Sequence, residues 1–342
     1  MEERLFITDI EFIVVLVGLC VIVCLAFNTK KGRDWKLAIK PGRDWLCLDK
    51  STSVLVKGIA CIFILLSHYS ARILGGGLPK GVTYYVTIYA ANIALILFMF
   101  LSGYGLSIKR DDENLLYQWM KRIKKVYLPL VFVCTICTII KISSGLSGGG
   151  ILLLSALGFT DEWYVICIIY FYTLFYLAVY ISNCLKINDS IILSIFMLVY
   201  YAVAYRFYGF EEGHFFRFPC AFMLGHLVAK GGTNNKKLAW SLGVIFVATI
   251  LPHGLHYAKC YLLAFLLLIS FGMIQKLAQV NVCSWLYKLG VISFFFYLVH
   301  ERLGFPLMSR IGIYSCLLWI VLTIILACFL QWIYNKMLRL VQ

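Results

Sequence analysis

Apolar runs of about 20 residues follow one another along almost the whole chain, broken only by short polar segments. A run of that length suits a helix crossing a bilayer. Strict alternation of apolar and polar residues is absent, which argues against a membrane β-barrel. Composition decides the solvent. Of 342 residues, 62% are hydrophobic and 14% charged, and the mean hydropathy is +0.88. Soluble domains carry roughly 25% charged residues, so this much apolar surface needs lipid. The expected fold is an all-α, polytopic helical bundle with about eleven transmembrane helices. They are placed near 10–28, 54–70, 86–107, 127–142, 162–182, 190–206, 214–229, 238–252, 257–275, 285–300 and 312–335. The first run follows an acidic start, MEERLFITDIE, and lacks a small-residue cleavage site, so it reads as a retained helix and not as a signal peptide.

The formal charge of +15 is spread among loops, which excludes a nucleic-acid patch. Lysine and arginine crowd residues 29–50 and 108–125 and recur at Lys186, Lys230, Lys236, Lys237, Lys276, Lys336 and Arg339. The intervening breaks hold Glu2, Glu3, Asp161, Glu162, Glu211 and Glu212. The positive-inside rule then puts the N-terminus outside and the C-terminus in the cytosol. Residues 1–49 read as an extra transmembrane helix with a basic cytosolic linker, and residues 50–342 as the main membrane domain. The linker repeats GRDW, with Trp35 and Trp45 suited to the membrane interface. The glycine-rich stretches ILGGGLP and SSGLSGGG read as external flexible loops. The 13 cysteines lack zinc-ligand spacing, and Cys134 and Cys137 read as small buried hydrophobes.

Within KGIACIFILLSHYS, Lys57 and His68 are eleven residues apart. That is about three helical turns, so both side chains leave the same face about 16 Å apart along the axis. Intramembrane ionisable residues mark functional sites when they face a polar cavity. A lysine can also snorkel to the interface and a histidine can simply bond a neighbouring helix, and this stretch alone leaves both readings open. LFMFLSGYG supplies Ser102, Gly103 and Gly105, which permit close backbone approach. WMKRIKKVYLP supplies Arg122 and Lys125, three residues apart on one helix face, suited to phosphate or to a topology signal. The other histidines draw plainer readings. His214, His253 and His256 fall in outer loops, and His226 reads as a packing residue near a cytosolic helix end.

Taken in order, these segments resemble the bacterial membrane acyltransferase family 3, which includes polysaccharide O-acetylases. The resemblance covers about residues 50–335. It rests on Lys57 and His68, on FMFLSGYG, on Arg122-Ile-Lys-Lys125 ahead of Pro129, and on Trp163-Tyr164 leading into IIYFYTLFY. It continues through CAFMLGHLVAK and Ser293-FFFYLVH, which contains Tyr297 and His300. The chain departs from the pattern at Lys125, where the family has arginine, and at the acidic Asp161-Glu162 lead-in.

The resemblance implies an O-acyltransferase of the cell membrane, expected to be a bacterial plasma membrane. It would carry an acyl group, acetyl as the expected one, from cytosolic acyl-CoA to a hydroxyl of a cell-surface or lipid-linked glycan. His68 would be the general base. Lys57, Ser102, Gly103, Arg122, Lys125, Trp163, Tyr297 and His300 would bind acyl-CoA or acceptor. No bound cofactor and no metal is expected; acyl-CoA enters as co-substrate. The expected partners are the glycan acceptor and membrane lipids, with no nucleic acid. The competing reading is a transporter or flippase of a lipid-linked glycan or small solute. The placing of all sixteen acidic residues in loops or at helix ends counts against carboxylate-based proton coupling.

Overall fold

The computed structural model describes residues 48, 50–73, 89–110, 113–143, 149–159, 163–208, 218–230, 259–268, 284–304, 306–307 and 315–341. The expected first helix and GRDW linker, the 238–252 span, His214, His253, His256 and the Asp161-Glu162 pair lie outside the described residues. Those residues form helices and no strands.

The helices are α1 (Lys50–Ile73), α2 (Ala91–Ile108), α3 (Leu115–Ser143), α4 (Gly149–Ala156), α5 (Trp163–Leu185), α6 (Asp189–Tyr208) and α7 (Pro219–Ala229). They continue with α8 (Lys259–Leu268), α9 (Ser284–Val291), α10 (Ser293–Val299), a π-turn (His300–Gly304) and α11 (Cys316–Val341). Five of them, α1, α2, α3, α5 and α11, are long and apolar enough to cross a membrane, while α6, α7 and α8 are shorter apolar helices. The protein is therefore an all-helical membrane protein with five candidate spans among its described residues.

Three expectations shift. The expected 127–142 span begins twelve residues earlier, at Leu115. Lysine, arginine and glutamine are good helix formers, so WMKRIKKVY continues the apolar helix instead of preceding it. Pro129 stands inside that helix, which a membrane helix tolerates better than a soluble one. The expected 285–300 span is broken at Ile292 into α9 and α10 and closes in the π-turn. The glycine-rich SSGLSGGG does not remain a loop throughout, because its last residues open α4, whose sequence becomes Ile-Leu-Leu-Leu.

The chain divides into two compact units. One comprises the residues up to Leu95 together with Leu262–Gln342. Here α1 crosses α9 with the backbones nearly touching. A methyl group on Gly58 would collide with the Leu286 carbonyl, and one on Gly290 with the Val54 carbonyl. Such small-residue crossings substitute for the hydrophobic drive that lipid abolishes. The α1 window is 72% buried, whereas the α11 window is only 28% buried. Leu317, Ile325, Phe329 and Trp332 of α11 are exposed, as lipid-facing residues should be.

The other unit runs from Ile96 to Tyr261. It repeats the device where α2 meets α7. A Cβ on Gly103 would strike the Phe222 carbonyl, and one on Gly225 the Phe100 carbonyl. Helix α3 is tied to α5 by a hydrogen bond from Trp119 Nε1 to Thr173 Oγ1 at 3.1 Å. Aromatic side chains of α5, chiefly Phe171 and Phe175, pack on Phe222 of α7.

Candidate active site

In the unit built on α1, the helix that ends in SHYS carries His68 against the π-turn. The Nδ1–H of His68 donates to Glu301 Oε1 at 2.9 Å. A carboxylate can only accept, so this bond puts the proton on Nδ1 and leaves the Nε2 lone pair of His68 available. His68 and Glu301 keep 32% and 34% of their side-chain surface open, so a substrate can reach them.

His300 stands edge-on to His68, with ring centroids 4.9 Å apart. It is buried, stacks on Phe296 and also touches the Tyr297 ring. Its Nδ1–H donates to the Tyr297 carbonyl at 2.6 Å, which fixes its proton on Nδ1 as well. The Nε2 of His300 is buried and has no hydrogen-bond partner among the described residues. A buried polar atom without a partner is costly, and such atoms concentrate at functional sites.

The π-turn is what brings His300 and Glu301 to His68 together. Single π-turns interrupt the regular ladder and are frequent at functional sites. Helix α11 supports this one. Trp319 Nε1 donates to the His300 carbonyl at 2.8 Å, and Gly304 fits so tightly that a Cβ would lie 2.8 Å from Thr323 Oγ1. Trp319 in turn packs on Tyr69, the neighbour of His68. Eleven residues before His68, Lys57 is half-buried on the same helix. Between them Cys61 bonds the Ser293 carbonyl at 3.6 Å, so this face of α1 looks onto the start of α10.

The donor atoms of His68, His300 and Glu301 lie within 4.8 Å of one another. Two imidazoles and a carboxylate are also a donor set that a divalent cation could use.

A family comparison assigns the chain. The acyltransferase domain of acyltransferase family 3 matches residues 53–335, well over half of the chain. The chain belongs to acyltransferase family 3. It is an acyltransferase, of the O-acyltransferase type. No curated protein and no solved structure matches it.

The family 3 sequence pattern had singled out nine residues, and the two units divide them. His68, His300 and Tyr297 meet at the π-turn, with Lys57 lower on the same helix. In the second unit, Ser102 lies on α2 and Arg122 is half-buried on α3. On α5, the Tyr176 hydroxyl lies 3.5 Å from Gln118 Oε1, to which it donates, one turn before Arg122 on α3. Lys125 is exposed one turn further along α3. Gly103 is engaged in the α2–α7 crossing, the close approach its size permits. Trp163 stacks on Phe218, with centroids 6.0 Å apart at 19°.

Sequence reading passed over Glu301. Its only signal was adjacency to His300, in LVHER, and its place at a helix end made it look like an ordinary solvated carboxylate.

Proposed function

We propose that this acyltransferase takes the acyl group, acetyl as the expected one, from cytosolic acyl-CoA and places it on a hydroxyl of a cell-surface or lipid-linked glycan at the plasma membrane of a bacterial cell. The observation that carries this reading is the hydrogen bond from His68 to Glu301, which leaves a lone pair on an accessible imidazole. His68 Nε2 takes the proton of the acceptor hydroxyl. The freed oxygen attacks the thioester carbonyl carbon, the carbon–sulfur bond breaks, and the CoA thiolate leaves. The proton held by His68 then passes to that thiolate, giving the ester and CoA–SH. Glu301 stabilises the imidazolium formed in between, the role a carboxylate plays beside a catalytic histidine.

His300 Nε2, a lone pair in a buried setting, suits a hydrogen bond from the acceptor sugar. On the donor side, Arg122 and Lys125 supply the charges for the CoA phosphates. Lys57, Ser102, Gly103, Trp163 and Tyr297 are assigned to binding the acyl donor or the acceptor, Gly103 through the close α2–α7 approach its size permits. In this reading residues 108–125 and 230–237 face the cytosol, in keeping with their basic charge.

Two measurements test it. Mass analysis of surface glycans from cells with and without the gene should show an acyl-sized difference. Purified protein should release CoA thiol from acetyl-CoA only when an acceptor glycan is present. Unaltered glycans together with glycan transport into vesicles would favour the flippase reading instead.

A further inference from the structure

When no acceptor sugar is bound, His300 Nε2 is a buried lone pair with no partner among the described residues. Leaving it so is costly, and a bound ion is one of the things that account for such an atom. The surroundings of this nitrogen are those of a metal ligand. A ligating histidine donates its other ring N–H to a carbonyl or carboxylate, which fixes the tautomer and the ring orientation. His300 gives its Nδ1–H to the Tyr297 carbonyl at 2.6 Å. Its ring stacks on Phe296, and its own carbonyl accepts from Trp319 Nε1. The Nε2 lone pair is therefore held in place.

Two further donors stand beside it. One donor atom from each of His68, His300 and Glu301 lies within 4.8 Å of the other two, and His68 Nδ1 and Glu301 Oε1 are 2.9 Å apart. With Nδ1 engaged by the carbonyl, Nε2 is the atom His300 has left to offer. Zinc–ligand bonds of about 2.0–2.2 Å put neighbouring ligand atoms of a tetrahedral site about 3.3 Å apart. The pair that is now hydrogen-bonded has to open by a few tenths of an ångström, and the wider separations have to close by at most about 1.5 Å. His68 and Glu301 are both partly open to solvent, so they can make that adjustment while His300 stays fixed.

We propose that His68, His300 and Glu301 bind a divalent transition-metal cation of the Zn²⁺ type, and that occupation of this site switches acyl transfer off. The switch rests on the general-base role of His68 given above. Imidazole nitrogens suit Zn²⁺, Co²⁺ or Ni²⁺, whereas Mg²⁺ and Ca²⁺ take oxygen ligands. Three protein ligands leave a fourth position for water. The cation takes the place of the proton on His68 Nδ1. The neutral ring then carries its proton on Nε2, the very nitrogen that has to take the proton of the acceptor hydroxyl. The same cation occupies the Nε2 lone pair of His300, which the acceptor sugar would otherwise use. The base is disabled and the acceptor displaced with no change of fold. Sequence spacing does not announce the site, because α1 supplies one ligand and the π-turn near the other end of the chain supplies two.

The test uses the full-length protein in lipid nanodiscs with its purification tag removed. Cys184→Ser and Cys328→Ser are introduced so that these two exposed thiols do not take up the probe. The probe is Co²⁺ alone, read by its visible absorption, with neither acyl-CoA nor acceptor present. Stoichiometric Co²⁺ should give a ligand-field band that Zn²⁺ removes by displacement and excess Mg²⁺ does not. His68→Gln and His300→Phe should each remove the band. Glu301→Gln should weaken Co²⁺ binding by at least about tenfold, the lower end of what even an outer-shell partner of a metal contributes. A band absent from the parent, or one that survives all three substitutions, would overturn the inference. In the second arm, acceptor-dependent release of CoA from acetyl-CoA should stop at the Zn²⁺ concentration that displaces Co²⁺ and return on adding a chelator. Full turnover with the site occupied would overturn the switch, and an inactive His68→Gln protein in the same assay would show that the general-base reading does not fall with it. A normal band in a protein that releases no CoA even without metal would support the metal site and count against acyl transfer itself.

Discussion

Two buried histidines, one in each unit, show opposite ways of treating an imidazole. His226, on α7, is fully buried and bonded on both nitrogens. Ser107 Oγ already donates to the Gly103 carbonyl, so at 2.7 Å it accepts from His226 Nδ1–H. Nε2 is then the acceptor, and Ser190 Oγ–H donates to it at 2.9 Å. Beside it, Asp189 is paired with Arg110 and Lys230. Every strong group in this knot has a partner, and the knot ties the ends of α2, α6 and α7 together. His300 is just as deeply placed, but among the described residues only its Nδ1 is bonded, and its Nε2 finds no partner beside His68. Burial alone therefore does not distinguish a structural histidine from a chemical one. The accounting of its second nitrogen does.

The largest effect should come from the group that moves the proton. His68→Gln keeps polarity and approximate size but cannot accept and return a proton. It should lower kcat/KM by at least about 10²-fold, the ordinary yield of general acid–base catalysis, with insertion and melting temperature unchanged. Near-full turnover in a purified His68→Gln protein would remove His68 from the chemistry.

Next in size is Glu301→Gln. The amide oxygen can still accept from His68 Nδ1–H, so the ring keeps its orientation. What is lost is the negative charge that stabilises the imidazolium. The expected result is a fall of about tenfold or more in kcat with the acceptor KM little changed, consistent with a charge that matters mainly in the transition state. A rise in KM with kcat preserved would make Glu301 a binding residue.

A third pair of substitutions sets the two units directly against each other. His300→Phe retains an aromatic ring to stack on Phe296 and removes an unsatisfied nitrogen. Stability should hold or rise while turnover drops about tenfold. His226→Phe takes its imidazole acceptor from the buried Ser190 hydroxyl and leaves it only the long 3.5 Å contact to Asp189 Oδ1. It should cost about 1–3 kcal/mol of stability while the activity of each correctly folded molecule stays within about twofold. Thermal unfolding in detergent, read alongside specific activity, separates the two outcomes. The same pattern for both histidines would break the comparison.

Much of this was legible in the sequence, for identifiable reasons. The apolar runs at 54–70, 86–107, 162–182 and 312–335 found their helices because a bilayer imposes a length and a composition. Lys57 and His68 stood out because ionisable groups are conspicuous in apolar runs. The start of α3 was misplaced because WMKRIKKVY is polar enough to look like a loop, although its residues favour helix. The break at Ile292 and the π-turn leave no compositional trace, since SFFFYLVHERLG reads as continuous helix. Glu301 was hidden for the same reason, because only the π-turn turns two consecutive residues toward His68. His226 was read as packing, and that is close to what is observed. The serines that satisfy it sit 36 and 119 residues away in sequence, beyond the reach of any local pattern.

The smallest expected effect is also the sharpest test of how the second unit is built. Ser107→Ala takes away the acceptor for His226 Nδ1–H, and the helix keeps its own backbone bonds. A buried donor left without a partner costs about 1–3 kcal/mol, whereas replacing both members of a pair by apolar groups can be nearly neutral. Ser107→Ala and His226→Phe should therefore each destabilise. Their combination should cost clearly less than the sum, because no imidazole remains to be satisfied. Ser190 would keep one outlet, since its hydroxyl also lies 3.5 Å from Asp189 Oδ1, so the double variant should retain activity and insert normally. Strict additivity of the two losses would mean that the contact between Ser107 and His226 contributes nothing of its own. The stability of this helix junction would then rest on the Asp189 ion pairs and on the Gly103–Gly225 crossing, and the contrast with His300 would lose its structural half.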